Sequence, residues 1–286
     1  MAEMAVCIVN YNTCEDLKTC VETILLDSPS EIVVVDNASS DGSAEMVKAA
    51  FPRVLLIAND SNVGYGAAAN QGIRSCASKY VLLLNSDTRI LHGSLRAISE
   101  YLDLNSQVAI VGPRLINVDG TLQPSCHPFP SAFTAVLEYT PLGELIRYIP
   151  VLRNYYLPAW PHTSARVVPW LKGAALGIRR GAFEALGGFD GSFFMYFEEV
   201  DLCYRLTAAG WQIHFAPITT VAHIGEASTS QCREKMDVQL FESNLLFGRR
   251  HYSGLSVAGL VIVLECVRVA RLIRDCIRAY IKEQPA

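Results

Sequence analysis

Five short apolar runs, separated by segments with helical patterning, occupy the first 115 residues of the chain. They lie at 4–9, 31–36, 54–58, 79–84 and 108–112. A strand that is apolar throughout, and not only at alternate positions, is typical of a parallel sheet covered by helices on both faces. The pattern therefore predicts an α/β, Rossmann-like fold with a mostly parallel central sheet flanked by helices.

Composition narrows the class of protein. The 286 residues are 51% apolar and 18% charged, which is unlike a disordered chain. The net charge of −4, with no basic tract in the first 240 residues, excludes a nucleic-acid binder. Nine scattered cysteines without a CxxC pair, and an N-terminal segment without a secretory signal, lead us to expect a cytoplasmic protein.

Polar residues follow three of the predicted strands at the edge where such sheets bind ligands. The groups are Asn10-Tyr11-Asn12, Asp36-Asn37 and Asn85-Ser86-Asp87. The Asp36 carboxylate can accept the imide N–H of uracil or thymine; capping of the next helix is the alternative, which we prefer for Asp41. These residues indicate a site for a nucleotide donor.

Asp87 is the strongest candidate for a metal ligand. A diphosphate leaving group needs its charge neutralised, and a hard divalent cation held by one or two carboxylates does this. His223, in VAHIG (221–225), could add a neutral imidazole nitrogen. The alternatives are a turn aspartate and a hydrogen-bonded core histidine.

Three acids follow the aromatic run FFMYF (193–197) and are Glu198, Glu199 and Asp201. They cannot all be buried unpaired without a large cost, so they either begin a helix or frame a reaction centre. A general base must reach the attacking hydroxyl and have a pKa near working pH. We choose Glu199 for this role, with Glu198 and Asp201 positioning substrate or pairing with Arg205.

Small residues dominate the segment NVGYGAAANQG (62–72), which includes Gly66 and Asn70. Glycine and alanine suit a backbone that approaches another group closely, although tight helix–sheet packing would explain the alanines equally well. Eight of the thirteen prolines lie in 124–170. We interpret this stretch as an irregular acceptor-side insertion with a short helix near 131–147, or as a packed connecting loop.

In this order the motifs resemble those of family 2 glycosyltransferases with the GT-A fold, and within them the bacterial rhamnosyltransferase-like subgroup. The resemblance covers about residues 4–250. It rests on VNYN (9–12), DNASSDGS (36–43), NVGYGAAAN (62–70), LNSDT (84–88), WLKGA (170–174), GGFDGSFFMYFEEVDLCYR (187–205) and His223.

The resemblance implies an inverting transfer of a sugar, rhamnose among the candidates, from a dTDP- or UDP-linked donor. The acceptor would be a hydroxyl of a glycan or lipid-linked saccharide in cell-surface polysaccharide synthesis, and Mg²⁺ or Mn²⁺ the cofactor. By motif match, Asp36 would read the base, Asp87 and His223 would hold the metal, and Glu199 would be the base. The nucleotide sugar would be bound by the polar residues at the strand ends and, in addition, by Gly66, Asn70, Lys172 and Gly173.

The same resemblance divides the chain. Residues 1–250 would form the GT-A domain, with a nucleotide-binding half (1–115) and an acceptor-side half (116–250), and 251–286 would form a helical tail.

Three residues depart from the family pattern. Asn85 stands where relatives often carry the first of two metal-binding aspartates. Glu198-Glu199 replaces the usual Glu-Asp pair, which leaves the choice of base between the two glutamates open. Pro169 stands where relatives often carry an acid.

The C-terminal tail has the pattern of a basic amphipathic helix. Its apolar run of eleven residues, 254–264, is too short to span a bilayer. Five basic residues share one face at spacings of three and four: Arg268, Arg271, Arg274, Arg278 and Lys282. Such a helix suits an anionic membrane surface, here the inner face of the cytoplasmic membrane. Docking on its own body, or on a second subunit of a homodimer, is the alternative.

One reading of another class stays open: a non-catalytic nucleotide-sugar-binding protein of the same fold. A nucleotide-dependent dehydrogenase is not favoured, because the first strand ends in NYNT and not in a glycine fingerprint.

Overall fold

The structure, a computed structural model, describes residues 4–92, 95–140, 142, 146, 149, 157–225 and 233–282. The strands are β1 (Met4–Asn10), β2 (Glu31–Asp36), β3 (Leu55–Ala58), β4 (Tyr80–Asn85), β5 (Thr88–His92), β6 (Val108–Ile116), β7 (Cys126–His127), β8 (Arg166–Val167), β9 (Trp170–Leu171), β10 (Ala175–Arg179) and β11 (Gln212–His223). The helices are α1 (Cys14–Leu25), α2 (Ser43–Ala50), α3 (Tyr65–Ser75), α4 (Leu95–Leu104), α5 (Ala132–Tyr139), α6 (Arg180–Ala185), α7 (Glu198–Ala208), α8 (Arg233–His251) and α9 (Gly254–Lys282).

The central sheet has the strand order β3-β2-β1-β4-β10-β6-β11-β5, with β8 added to β11, while β7 and β9 pair separately. β1 to β4 are parallel, and β6 is parallel to β11. Because β10 is antiparallel to both β4 and β6, these two groups run in the same direction. The carboxyl ends of β1, β2, β4 and β11 therefore lie along one edge, as predicted for this fold.

Burial on both faces explains why the central strands are apolar throughout. Val6 and Ile8 of β1 pack with residues of α1 and α4, whereas Cys7 and Val9 pack with residues of α3 and α7. Side chains of a strand alternate between the two faces of a sheet, so helices on both faces bury every position. The prediction of a helix-covered, mostly parallel sheet is confirmed.

Thr13 and Asp16 have the spacing of a capping box, which predicts that Thr13 caps α1, but the structure shows no such cap. Thr13 Oγ1 donates to Asn10 Oδ1 at 2.7 Å and does not cap α1. The Cys14 N–H donates to Asp41 Oδ2 at 2.8 Å instead. Thr13 is used at the polar end of β1, and an acid from a neighbouring loop satisfies the free helix N–H in its place.

The structure differs from the sequence pattern in two later runs. The run 170–180 has the pattern of one strand, but residues 172–174 separate β9 from β10, and Gly173 of this turn approaches Glu199. The runs 211–217 and 219–225 have the pattern of two short strands, but they form the single strand β11, whose register shifts between Phe215 and Thr220. The residues after β4 also form a strand, β5, which the sequence pattern did not indicate.

Helix α5 accounts for the start of the helix predicted near 131–147, and most of residues 141–156 lie outside the described part of the chain. The first turns of α9 dock on the body of the protein, where Leu260 and Leu264 pack with Ala135 and Phe241. The side chains of Arg271, Arg274, Arg278 and Lys282 lie outside the described residues, so the basic face stays a prediction. Within the described ranges, no helix combines the length and apolar content needed to cross a membrane.

Candidate active site

A hydrogen-bond network joins the ends of β1 and β2. Asn10 Nδ2 donates to Asp36 Oδ1 at 2.8 Å, and the Ser39 N–H donates to Asp36 Oδ2 at 3.0 Å. Asp36 is buried, whereas Tyr11, the residue that follows β1, is 37% exposed. Asn12 adopts the left-handed conformation, with φ of 52°, and its Oδ1 accepts the Ser40 N–H at 2.8 Å. The network fixes the Asp36 carboxylate at the sheet edge.

Two predicted donor-site residues hold loops together. Asn37 Oδ1 accepts the Val63 N–H at 3.0 Å, and its Nδ2 donates to Asn62 at 2.8 Å, so Asn37 shapes the loop before α3. Asn70 makes a paired contact with the backbone of Phe189, donating to its carbonyl at 2.8 Å and accepting its N–H at 2.9 Å. Asn70 thereby ties α3 to the segment that leads to the acidic cluster.

The turn after β4 meets the end of β11 and brings the predicted metal ligands together. His223 Nε2 lies 3.3 Å from Asp87 Oδ1 and 3.4 Å from Asn85 Nδ2. Asp87 Oδ2 also accepts the Gly225 N–H at 3.0 Å. Burial raises the pKa of Asp87, but the hydrogen bond and charge of His223, together with backbone N–H groups, outweigh burial and leave it below the ordinary value. Asp87 is therefore held ionised.

Gln123, which sequence reasoning missed, orients His223. Gln123 Oε1 lies 2.7 Å from His223 Nδ1, and Gln123 Nε2 donates to Asn117 Oδ1 at 2.9 Å, which fixes the orientation of the amide. An amide oxygen accepts only, so Nδ1 carries a proton, and Nε2, which faces Asp87, is the nitrogen able to bind a metal. A histidine that binds a metal is usually fixed in this way by a partner on its other nitrogen.

The residues at this turn fit a divalent cation. Asn85 Oδ1 is buried without a hydrogen-bond partner, and a carbonyl-type oxygen of that kind is a suitable ligand for Mg²⁺ or Mn²⁺. Within the described part of the chain, no three His, Cys, Asp or Glu side chains converge on one point. The protein therefore offers Asp87, His223 and Asn85, and leaves the other positions to water or phosphate oxygens. Ser86 is occupied otherwise, since its Oγ lies 2.7 Å from Thr13 Oγ1.

Glu198 and Glu199 begin helix α7, and both have a side-chain oxygen that is buried without a hydrogen-bond partner. Burial and the neighbouring Glu199 charge raise the pKa of Glu198 well above its ordinary value. Burial also raises the pKa of Glu199, although the Gly173 N–H and the Lys172 charge oppose it. The predicted pair Lys172 and Gly173 thus lies against the acidic cluster.

Asp201 takes part in a different network. Its Oδ2 accepts Arg205 Nε at 2.7 Å, and its Oδ1 lies 2.7 Å from His251 Nε2 at the end of α8. Arg205 also donates to the carbonyls of Leu186 and Gly188. Both carboxylate oxygens of Asp201 are thus engaged within the protein, as expected for the alternative role, pairing with Arg205.

Tyr65 was also missed by sequence reasoning, and it lies against Gly173. Its hydroxyl donates to the Gly173 carbonyl at 3.2 Å. Burial raises the pKa of Tyr65 well above its ordinary value, and the charges of Glu198, Glu199 and Asp87 add to the effect. Gly173 lies against Glu199, and its neighbour Ala174 accepts the Asn85 N–H at 3.1 Å, so the acidic cluster and the turn after β4 are adjacent.

Two glycines allow α3 to approach the acidic segment. Gly64 has φ of 87°, and a Cβ there would lie 2.5 Å from the Phe194 carbonyl oxygen. A Cβ at Gly66 would lie 3.2 Å from Glu198 Cβ. The small residues of 62–72 therefore serve close packing against the segment that carries the proposed base.

Comparisons with known proteins identify the family of the chain. Glycosyl transferase family 2 matches residues 5–201, more than half of the chain, and the chain belongs to this family. It is 30% identical over 224 residues to an N-acetylglucosaminyl-diphospho-decaprenol L-rhamnosyltransferase of Mycobacterium tuberculosis, which covers 73% of this chain and 71% of that protein. The resemblance to the rhamnosyltransferase-like subgroup is thereby confirmed.

Solved structures show the same fold at low identity. A mannosyltransferase from Pyrobaculum calidifontis in complex with GDP-Man and Mn²⁺ superposes with a TM-score of 0.57 at 16% identity, over 92% of this chain and 68% of that one. GalNAc-T7 with UDP, GalNAc and Mn²⁺ gives a TM-score of 0.57 at 16% identity, over 77% of this chain but only 43% of that one.

Proposed function

We propose that this protein transfers a sugar, with inversion, from a nucleoside-diphosphate sugar to a hydroxyl of a lipid-linked saccharide. The observation that carries the proposal is that the proposed base and the turn that carries Asp87 are neighbours. Gly173 lies against Glu199, and the next residue, Ala174, accepts the Asn85 N–H at 3.1 Å. A proton acceptor on one side and a cation-binding acid on the other is the arrangement that a displacement at an anomeric carbon requires.

Asp36 is the residue proposed to read the base of the donor. Each of its oxygens accepts one hydrogen bond within the protein, and a carboxylate oxygen has two lone pairs. One acceptor position on each oxygen is thus compatible with the imide N–H of uracil or thymine. This favours a UDP- or dTDP-linked donor over a purine nucleotide.

Asp87, His223 and the Asn85 amide oxygen are the residues proposed to hold a divalent cation. When bound, Mg²⁺ or Mn²⁺ neutralises charge on the departing diphosphate. A single carboxylate makes this a weak site until the phosphates of the donor add their own oxygens. Glycosyltransferase neighbours with Mn²⁺ bound support the use of a divalent metal by this fold.

Glu199 is the proposed base. Burial and the charge of Glu199 raise the pKa of Glu198 well above its ordinary value, which favours its protonated form and makes it the poorer candidate for the base. Glu199 is stabilised as an anion by the Gly173 N–H and by Lys172, while burial keeps its pKa above the ordinary range. Glu199 takes the acceptor hydroxyl proton, and that oxygen attacks the anomeric carbon on the face opposite the diphosphate, which inverts the configuration.

Two observations support a lipid-linked acceptor: the name of a relative and the surface of α9. The name of the Mycobacterium tuberculosis relative states an N-acetylglucosaminyl-diphospho-decaprenol acceptor. In this protein, α9 exposes apolar side chains at spacings of three, four or seven residues, and they are Leu255, Ile262, Cys266, Val269 and Ile273. A stripe of this kind suits attachment to a membrane surface, where a lipid-linked acceptor would be found.

A transfer assay tests the proposal. Full-length protein would be incubated with N-acetylglucosaminyl-diphospho-lipid and each of a panel of UDP- and dTDP-sugars, with Mn²⁺ or with EDTA, and products separated by mass. We expect one donor to give a product one sugar larger, with loss of product in EDTA. Binding of a donor, seen as a thermal shift, without any transfer or donor hydrolysis would instead identify a non-catalytic nucleotide-sugar-binding protein.

A further inference from the structure

The turn that leads into α7 has an unusual backbone. Tyr196 and Phe197, which directly precede Glu198, have φ angles of 65° and 69°. This left-handed region suits glycine and is unfavourable for large side chains, yet two aromatic residues occupy it in succession. A backbone of this kind persists only where the surrounding structure holds it, and it is found most often at functional sites. We refer to residues 194–197 as the strained turn.

Helix α3 holds the first residue of the strained turn. The Tyr65 N–H donates to the Phe194 carbonyl at 2.9 Å. A Cβ on Gly64 would lie 2.5 Å from the same oxygen, so a glycine is needed for α3 to approach this closely. This contact fixes Phe194 and leaves the later residues of the turn to be held by another element.

Helix α8 holds the middle of the strained turn through Ser243. Ser243 Oγ donates to the Met195 carbonyl at 2.8 Å and accepts from Gln239 Nε2 at 3.1 Å. A hydroxyl has a single proton, and because Gln239 is a donor to it, that proton is directed to Met195. Ser243 is 1% exposed, so water does not compete for this hydrogen bond.

Phe247, one turn further along α8, packs on the end of the strained turn. Its buried ring lies 5.8 Å from the Phe197 ring and 5.7 Å from the Tyr204 ring of α7, measured between centroids. The Phe197 carbonyl accepts the Asp201 N–H at 2.9 Å, a hydrogen bond that belongs to the first turn of α7. The strained turn and the start of α7 are therefore fixed together.

Glu199 lies in this first turn of α7. A Cβ on Gly173 would be 3.7 Å from Glu199 Oε1, whereas Glu199 Oε2 is buried and has no hydrogen-bond partner among the described residues. The position of this oxygen therefore depends on the backbone that carries the side chain. A general base must lie within hydrogen-bond reach of the hydroxyl, and a displacement of about 1 Å can cost roughly a hundredfold in rate.

We propose that Ser243 and Phe247 are positioning residues, which hold the strained turn and thereby keep Glu199 within reach of the acceptor hydroxyl. This inference rests on the proposed function, since it concerns the base of the same reaction. Helix α8 begins at Arg233, beyond residue 201, where the match to the family ends. Its role is thus additional to those of the residues in the family motifs.

Hydrogen exchange tests the hold on the strained turn without any sugar transfer. Ser243→Ala should speed amide exchange in peptides covering residues 194–201 by roughly three- to tenfold, because one hydrogen bond is lost from a turn that is unfavourable by itself. Ser99→Ala is the matched control, since Ser99 is also buried in a helix and donates to a backbone carbonyl, that of Arg96, at 2.9 Å. It should leave exchange in 194–201 unchanged. Unchanged exchange in Ser243→Ala would overturn the proposal.

Kinetics test whether the hold matters for the base. Ser243→Ala should lower kcat by roughly tenfold or more and leave the donor KM near the wild-type value, because the donor is bound by other residues. Ser243→Thr keeps the hydroxyl and should recover most of the rate. Phe247→Leu keeps an apolar side chain but loses the ring contact with Phe197, and should also lower kcat. An equal fall of kcat in Ser99→Ala would contradict a specific role for α8.

The pH profile separates positioning from a general loss of structure. Titratable groups that act on Glu199 belong to α7 (Glu198 and Cys203), to the turn after β9 (Lys172) and to α3 (Tyr65), and none of these four lies on α8. Burial raises the pKa of Glu199, so a turn that admits water should lower it again. The acid limb of the kcat profile in Ser243→Ala should therefore move down towards the ordinary value of 4.5.

Two further outcomes are decisive. A lower kcat in Ser243→Ala with an unshifted acid limb would show a merely structural role and overturn the proposal. Absence of transfer by the wild type with every donor would refute the proposed function instead, and the hydrogen-exchange comparison of Ser243→Ala with Ser99→Ala would still decide whether α8 holds the strained turn.

Discussion

His223 Nε2 lies 3.3 Å from Asp87 Oδ1, although the two residues lie far apart in the sequence. The contact exists because β11 and β4 run in the same direction and end at the same edge of the sheet. Gln123 holds the other imidazole nitrogen at 2.7 Å. Contacts thus run from Gln123 through His223 to Asp87.

Replacing Gln123 tests whether it prepares His223 to bind metal. Gln123→Leu should weaken binding of Mn²⁺ in the presence of UDP by roughly 10- to 100-fold, because the Nδ1 proton loses its acceptor. Gln123→Glu is the matched control, since it keeps an oxygen at the same position and should retain most of the affinity. Electron paramagnetic resonance of free Mn²⁺ measures both. Equal affinities in the two variants would show that Gln123 does not position His223.

The two glutamates should respond differently to the same substitution. Glu199→Gln should lower kcat by roughly 10²–10⁴, the usual contribution of a general base. Glu198→Gln should change kcat far less, because the protonated glutamate that we propose is already neutral. The acid limb of the wild-type pH–rate profile should lie above the ordinary glutamate pKa of 4.5, since burial raises the pKa of Glu199. The reverse ranking of the two variants would make Glu198 the base.

Glu198 should also make the protein less stable at neutral pH. Its folded-state pKa is raised, so its contribution to stability is fully present below the unfolded value of about 4.5 and is lost as pH rises through the folded pKa. Glu198→Gln removes this titration and should raise Tm by a few degrees at pH 7.5 or above, and much less at pH 4. Calorimetry at both pH values measures the difference, with the exposed Glu22→Gln as control. A gain that does not depend on pH would contradict this account.

Much of the fold could be predicted from the sequence because its strongest signal is local. Each central strand is apolar over four to six consecutive residues, and nothing else in the first 115 residues has that pattern. Strand β5 escaped prediction because Thr88–His92 follows β4 after only two residues and pairs with β11, a strand from much later in the chain. That pairing depends on the tertiary fold and leaves no pattern in the local sequence.

The candidate site also has a part that the sequence predicts and a part that only the fold supplies. The acids at strand ends could be found from position alone, but their partners could not. Asp201 resembled its neighbours Glu198 and Glu199 in sequence, and only the fold brings His251 to within 2.7 Å of its carboxylate. Gln123 lies just before the proline-rich stretch 124–170, in a segment without a motif. The sequence identifies side chains that could act as bases or ligands. Whether their oxygen and nitrogen atoms are already hydrogen-bonded depends on residues far away in the chain.

Asp201 should matter for stability and not for chemistry. Asp201→Asn leaves Arg205 and His251 without a buried anion, and breaking a buried ion pair of this kind costs roughly 3–5 kcal/mol. We expect a large fall in Tm, measured by calorimetry, while the KM for donor stays near the wild-type value in the fraction that is folded. The exposed Asp60→Asn is the control and should leave Tm unchanged. A variant with wild-type Tm and a kcat lowered a hundredfold would return Asp201 to the catalytic set.

The exposed stripe of α9 should bind anionic lipid. Deleting the tail near Gly248 is a poor test, because His251 bonds to Asp201 and the Tyr252 hydroxyl donates to the Pro130 carbonyl at 2.6 Å. The sharper variant is the double substitution Ile262→Asp and Val269→Asp, on side chains that are 63% and 51% exposed. Loss of two aliphatic contacts with the bilayer should lower the sedimented fraction with anionic liposomes by more than roughly tenfold.

The matched control places two aspartates at more exposed leucines elsewhere, Leu26→Asp with Leu104→Asp, at 87% and 84% exposure. Both double variants gain the same charge, so simple repulsion from anionic lipid affects them equally, and any further loss in the α9 variant comes from the stripe itself. Sedimentation of the two variants to the same extent would leave charge alone as the explanation. An oligomer that dissociates in the α9 variant, seen by light scattering without lipid, would show instead that the stripe pairs two copies of the chain.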